Sequence, residues 1–232
     1  MRRVLSAVIA IALLLGLGTL AVLALPGAGA PMTASPVAAA PLAVEPDAPA
    51  GTNKVNVIAM PLDATQQFIG AGVAFDADGL ATIVGAGVQQ VLTWDAVLGG
   101  YRTWYPIDEE GENFPLSVGG VYRLVLDSNA GSVVSFVGDV PPEGSISFSL
   151  ARPTGAGCLV NDISLPLDRA DIISANQLAL SVGNVSQVLE WIPANQGYKT
   201  WYPQDQEGED FPIKIGYPYR FCLLSGGNST WP

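Results

Sequence analysis

The sequence predicts a mainly β protein built of two tandem β-sandwich or barrel-like modules, each with one short helix, and three observations carry that prediction. First, Tyr101-Arg102-Thr103-Trp104-Tyr105-Pro106 and Tyr198-Lys199-Thr200-Trp201-Tyr202-Pro203 repeat one pattern, and each runs through an acidic, glycine-centred loop to Phe114-Pro115 or Phe211-Pro212. The offset is 97 residues throughout, from Tyr101 to Tyr198, which sets the size of the repeating unit. Second, the flanking segments are rich in Thr, Val and aromatic residues with Gly in the connections, the signal of strand hairpins. Third, each half holds an apolar run that opens on a polar residue and ends in Gly, the signal of a short helix.

Taken in order, each module begins with an alternating strand stopped by proline: Val55-Asn56-Val57-Ile58-Ala59-Met60-Pro61, then Asn161-Asp162-Ile163-Ser164-Leu165-Pro166. Asp78 and Ser174 read as N-caps of helices ending at Gly85 and Gly183, and the first module has additional residues around 66–77. In the hairpins, Trp94 set opposite Tyr101 shares one face with it, which puts Trp104 on the other face with Val91 and Thr93. A further strand carries Val121-Tyr122-Arg123-Leu124 or its counterpart Pro218-Tyr219-Arg220-Phe221. The first module then closes with a hairpin turning at Pro141-Pro142, with Ile146, Phe148 and Leu150 inward. The second has nothing comparable beyond Thr230-Trp231-Pro232, so the modules span 53–152 and 153–232, the second lacking the closing hairpin.

Composition narrows the function. The net charge is −11 and there is no histidine. An acidic surface without a Lys/Arg cluster repels a phosphate backbone, which excludes nucleic acid as a partner. Without His, zinc sites and Ser-His-Asp or Cys-His catalysis are excluded as well. At the N-terminus, Arg2-Arg3 precede an uncharged apolar run from Val4 to Leu25 and the small-residue exit Ala28-Gly29-Ala30. That order is a secretory signal peptide's, but the run exceeds the ~7–15 residues of a signal core and reaches the ~20 that span a bilayer. Residues 1–30 are therefore a signal peptide or an N-terminal anchor, and the rest is extracytoplasmic under both readings, secreted or attached to the envelope. Residues 31–52, with Pro31, Pro36, Pro41, Pro46 and Pro49, form a Pro/Ala-rich, semi-rigid spacer.

The order strand, short helix, long hairpin, strand, hairpin resembles the tandem β-rich modules of exported proteins of environmental bacteria. The pattern is met by Pro61-Leu62, Trp94, Tyr101, Phe114-Pro115 and Tyr122, and again by Leu165-Pro166-Leu167, Trp191, Tyr198, Phe211-Pro212 and Tyr219. The resemblance covers about residues 53–232 and implies fold and export; it carries no assigned activity.

Cys158 precedes the first strand of the second module and Cys222 lies in its last full strand, so an exported chain is expected to join them in a disulfide. Only this module has cysteines, and the bridge is read as a substitute for the missing closing hairpin. A missing hairpin also leaves an open sheet edge, suited to self-association or to pairing with other envelope proteins.

Two residue groups have the chemistry of a site. Trp94, Tyr101, Trp104 and Tyr105, mirrored by Trp191, Tyr198, Trp201 and Tyr202, offer rings to a polysaccharide or protein partner, or else fill cores. Asp108, Glu110 and Glu112, with Asp205, Glu207 and Glu209, place carboxylates around a turning glycine, a setting for calcium or simply a solvated loop. An open acidic loop lacks the pKa-raising pocket that a carboxylate pair needs for hydrolysis, so no catalytic residue is assigned and no cofactor other than calcium is considered. The expectation is an exported structural or adhesive surface protein; the alternative is a carbohydrate-binding module pair using the hairpin aromatics.

Overall fold

In the computed structural model the chain is described over residues 37–43, as backbone, and over 53–85, 87–127, 133–227 and 229–232; residues 1–30 and most of the spacer lie outside the described residues. The first half runs β1 (Val37–Ala43), β2 (Lys54–Ala59), α1 (Thr65–Gly70), α2 (Ala77–Val84), β3 (Val88–Asp95), β4 (Gly100–Tyr105), β5 (Glu110–Gly111), β6 (Val121–Leu126) and β7 (Val133–Asp139). The second runs β8 (Phe148–Ser149), β9 (Leu159–Ser164), α3 (Ala175–Val182), β10 (Val185–Ile192), β11 (Gly197–Tyr202), β12 (Glu207–Gly208), β13 (Pro218–Leu223) and β14 (Thr230–Trp231). The protein is mainly β, with antiparallel pairing throughout the strands.

Two open five-stranded sheets have the same order, β2-β6-β3-β4-β5 and β9-β13-β10-β11-β12. Even the irregularity is shared: the register slips between Val88 and Gln90 in one and between Val185 and Gln187 in the other. Alternation assigns one face of each sheet to a core. Ile58, Val91, Tyr122 and Leu124 meet Phe68, Leu80, Phe114 and Phe136 in the first core; Ile163, Val188, Tyr219 and Phe221 meet Leu178, Phe211 and Trp231 in the second. Each such fully buried apolar side chain contributes roughly 1.5–3 kcal/mol.

The helices differ from the sequence reading in two respects. The additional residues of the first half fold as α1, so that half has two helices rather than one. Asp76, not Asp78, is the N-cap of α2: its carboxylate accepts from the Gly79 amide at 2.8 Å while Asp78 sits in the first turn. Both placements satisfy the helix N-terminus, so two acids two residues apart left the boundary ambiguous. Ser174 caps α3 as expected, accepting from the Gln177 amide at 3.3 Å.

The closing strands require a larger correction. Ser145 to Leu150 does not finish the first module; β8 pairs with β14, and Phe148, Leu150 and Trp231 pack in or against the second core. The first core is closed instead by β7, whose partner is β1 from the spacer. Each half thus has a small two-stranded sheet made by a strand that leads into the module and a strand that trails out of it. The second module is not one hairpin short, so the premise that its disulfide substitutes for a missing hairpin falls. Asn161 seals the arrangement: its Oδ1 accepts from the Ala151 amide and its Nδ2 donates to the Ala151 carbonyl, both at 2.8 Å. Asn56, at the matching place on β2, is 3% exposed, and its side-chain amide has no hydrogen-bond partner among the described residues.

Cys158 and Cys222 do form a disulfide, with Cα atoms 5.4 Å apart, across 64 residues of chain. It ties the start of β9 to β13, and loop closure of that length stabilises by about 4 kcal/mol on chain entropy. Among the described residues no helix is long and apolar enough to cross a membrane.

Trp231 tests the closure of the second module. It is 3% exposed, stacks on Phe148 and donates to Ser181 Oγ at 2.9 Å. Trp231→Ala is expected to lower unfolding free energy by about 3–5 kcal/mol in urea titrations, against about 0.5 kcal/mol or less for the exposed Ile107→Ala. Equal effects would show that the tail is not part of the core.

Candidate functional site: an aromatic seam between the modules

All the described residues fall within one compact unit spanning 35–232, and contacts between the two sheets explain why. Register fixes which side chains share the face turned away from each core. Leu92 lies opposite Arg123 and Thr103, with Trp94 opposite Tyr101; in the second sheet Leu189 lies opposite Arg220 and Thr200, with Trp191 opposite Tyr198. These two faces meet.

The contacts are reciprocal. Trp94 Nε1 donates to the Val160 carbonyl on β9 at 2.7 Å, and Trp191 Nε1 donates to the Val55 carbonyl on β2 at 2.9 Å. Arg123 donates to the Tyr198 hydroxyl, and Arg220 donates to the Tyr101 hydroxyl at 2.8 Å. Each Trp lies edge-on to its own hairpin's Tyr with centroids 4.9 Å apart. Each of these contacts therefore has a partner at the matching position of the repeat, the signature of a two-fold, self-complementary interface. The free edges of β2 and β9 are each met by a tryptophan from the other module, where an open edge was expected on the second.

The guanidinium groups carry the electrostatics. Arg220 lies 5.0 Å from the Trp94 ring and 5.6 Å from the Tyr101 ring, and Arg123 lies 5.2–5.8 Å from the rings of Tyr101, Tyr198 and Trp191. Cation–π attraction in such a partly desolvated place stabilises by roughly 1–2 kcal/mol per contact. The halves differ here. Arg220 also holds a two-pronged ion pair with Asp162, both bonds at 2.6 Å. The place of Asp162 on β2 is taken by Val57, and Arg123 Nε is buried with no partner among the described residues. Burial pushes the Tyr101 hydroxyl up from its usual pKa, and the two arginines beside it act in the opposite direction.

Little space remains in the seam: a void of about 10 Å³ lies among Arg123, Asp162, Trp191, Tyr198 and Arg220. A single water needs about that much, so the centre of the seam is filled by its own side chains. Trp94, Tyr101, Trp191 and Tyr198 are accordingly used between the modules. Trp104 and Trp201 lie on the opposite face, against the cores, with their indole N–H groups directed to Asp78 Oδ1 at 3.2 Å and Asn176 Oδ1 at 3.4 Å. Among the eight aromatics of the two hairpins, Tyr105 and Tyr202 stand at the outer ends, 38% and 36% exposed; Tyr101 is also 38% exposed, but its hydroxyl accepts from Arg220 across the seam.

All six carboxylates proposed for calcium are exposed. Glu112 pairs with Arg102, and Glu209 with Lys199 at 3.1 Å, in each case along the outer strand. The Arg102 guanidinium holds the Glu112 carboxyl below its ordinary pKa. Among the described residues no three His, Cys, Asp or Glu side chains gather where an ion could sit. The central glycines have a steric cause instead. Gly111 and Gly208 have φ of +92° and +89°, and a Cβ at either would stand 2.3 Å from the carbonyl oxygen of Thr103 or Thr200. Glycine lets the loop fold back on the preceding strand.

Sequence reasoning passed over Arg123, Arg220, Asp162 and Gln196. A signal was present for the arginines: they follow the repeated tyrosines Tyr122 and Tyr219, and register puts Arg123 on the face of Trp94 and Tyr101 and Arg220 on that of Trp191 and Tyr198. No family description, curated protein or solved structure matches the chain.

Two measurements test the electrostatics. Arg220 and Asp162 side chains are 15% and 7% exposed, whereas Lys199 and Glu209 are 38% and 59% exposed. Arg220→Gln is expected to cost about 3–5 kcal/mol by stranding a buried carboxylate, and Lys199→Gln less than about 1 kcal/mol; similar costs in urea unfolding would refute the seam's weight. Burial raises the pKa of Glu190, opposed by Lys214 and Lys199. The folded state therefore binds this proton more tightly than the unfolded chain, and the associated stability is lost as pH rises through the carboxylate range. Glu190→Gln should raise the melting temperature at pH 7 and leave it unchanged near pH 3.

Proposed function

We propose that the protein is an exported structural or adhesive element, held outside the cytoplasmic membrane as one rigid two-module block, with other envelope proteins or further copies of itself as partners. One observation carries the reading: the rings that would serve as a sugar platform are spent on joining the modules and filling the cores. Six of the eight hairpin aromatics are engaged in this way, and the centre of the seam has no room for a ligand. What the arrangement supplies is rigidity. Support for the address comes from the leader sequence and from a disulfide, which persists in oxidising compartments.

Fractionation of cells making the full chain tests both parts. The protein is expected in the envelope or medium, with Cys158 and Cys222 closed to alkylation until reduced, and an amine-reactive crosslinker is expected to trap it with itself or an envelope protein. Recovery in the cytoplasm with both thiols open would overturn the address. A monomer that escapes crosslinking and binds glycans through Tyr105 and Tyr202 would overturn the role in favour of carbohydrate binding.

A further inference from the structure

The two-fold relation of the seam breaks at the tips of the hairpins. Both tips have the same length: Asp95 lies opposite Gly100, and Ile192 opposite Gly197. In the second hairpin Gln196, with φ of +49°, reaches across to β2. Its Oε1 accepts from the Val55 amide at 2.8 Å, and its Nε2 donates to the Val55 carbonyl at 3.2 Å. A side-chain carboxamide thus satisfies both backbone groups that this residue presents at the sheet edge.

The other end has the same backbone and no such side chain. Because Trp94 reaches the Val160 carbonyl just as Trp191 reaches that of Val55, β9 turns the polar groups of Val160 toward the first hairpin. In an extended strand a residue's N–H points to the same side as its C=O, so the Val160 amide faces that way too. The residue matching Gln196 is Gly99, with φ of +64° and open space where a Cβ would stand. Beside this tip is a cavity of about 370 Å³ whose lining includes Trp94, Asp95, Val97, Ala151, Asn161 and Asp162.

We infer that this cavity binds a peptide presenting a glutamine side chain, whose carboxamide takes the place beside β9 that Gln196 takes beside β2. The lining suits a neutral group that both donates and accepts. Asp162 is paired with Arg220 and Arg102 with Glu112, and the Asp95 carboxylate accepts from the Val97 and Leu98 amides at 3.0 and 2.9 Å, so the charged groups of the lining already have partners. The cavity is far larger than one carboxamide, leaving room for the main chain that carries it. The inference does not depend on the proposed address or role.

The test is a titration of the full chain, followed by the amide resonances of Val97 and Val160. N-acetyl-glutamine N-methylamide is expected to give saturable shifts with one equivalent bound, and the methionine analogue, equal in length but lacking the amide, none. Gly99→Gln, which supplies the carboxamide in cis at a left-handed position like that of Gln196, should weaken binding by about tenfold or more, the worth of one to two hydrogen bonds. Gln196→Gly should open the matching site and raise the stoichiometry to two. The inference fails if the glutamine peptide gives no saturable shift, if the methionine analogue binds equally, or if Gln196→Gly still binds one equivalent. It fails as a peptide site if propionamide, the amide head alone, binds as tightly as the peptide.

Discussion

The guanidinium of Arg220 is the contact on which the arrangement of the two halves depends. It belongs to the second sheet, yet it touches the rings of Trp94 and Tyr101 in the first while its charge is balanced by Asp162 beside it. A buried charge of this kind is costly unless fully bonded, which makes its geometry exacting. With five donors in a plane, arginine can serve an acid on one side and a phenol on the other; lysine has no such fork. Arg123 does the matching work with rings and the Tyr198 hydroxyl but no acid on the adjoining strand, so the two ends of one interface have similar shape and different electrostatics.

Closure of each module depends on chain order as much as on chemistry. A leading strand and a trailing strand pair across the open side of the core, β1 with β7 and β8 with β14. The second core is completed only when residues near 148 and residues near 231 have come together. Such distant pairing has to overcome loop-closure entropy before it is rewarded, which slows folding relative to local hairpins. The Cys158–Cys222 bridge spans most of that interval and shortens the search once β9 and β13 have met.

Much of this was legible because the repeat made each element visible twice. The pairing of Trp94 with Tyr101, the separation of Trp104 onto the other face and the disulfide all followed from alternation and cysteine count, while which of the two faces is core did not. Alternation fails at a different kind of question. It marks Phe148 and Leu150 as inward but does not say into which core, and proximity in sequence to β7 pointed to the wrong one. Six residues of α1 are too few to show a helical period. The aromatic hairpins looked like a ligand platform because the surface that covers them is the same surface in the second copy, and complementarity of a face to itself has no local mark in sequence.

That self-complementarity sets the valence of the molecule. A two-fold contact closes after joining two units and cannot propagate a chain of them. Here both units are on one polypeptide, so the surface is saturated before any second molecule arrives. Any contact with a further copy would therefore have to use a surface outside this seam. The hairpin tips are where the halves differ most plainly: Gln196 fills one end from within the chain, and Gly99 leaves the other open.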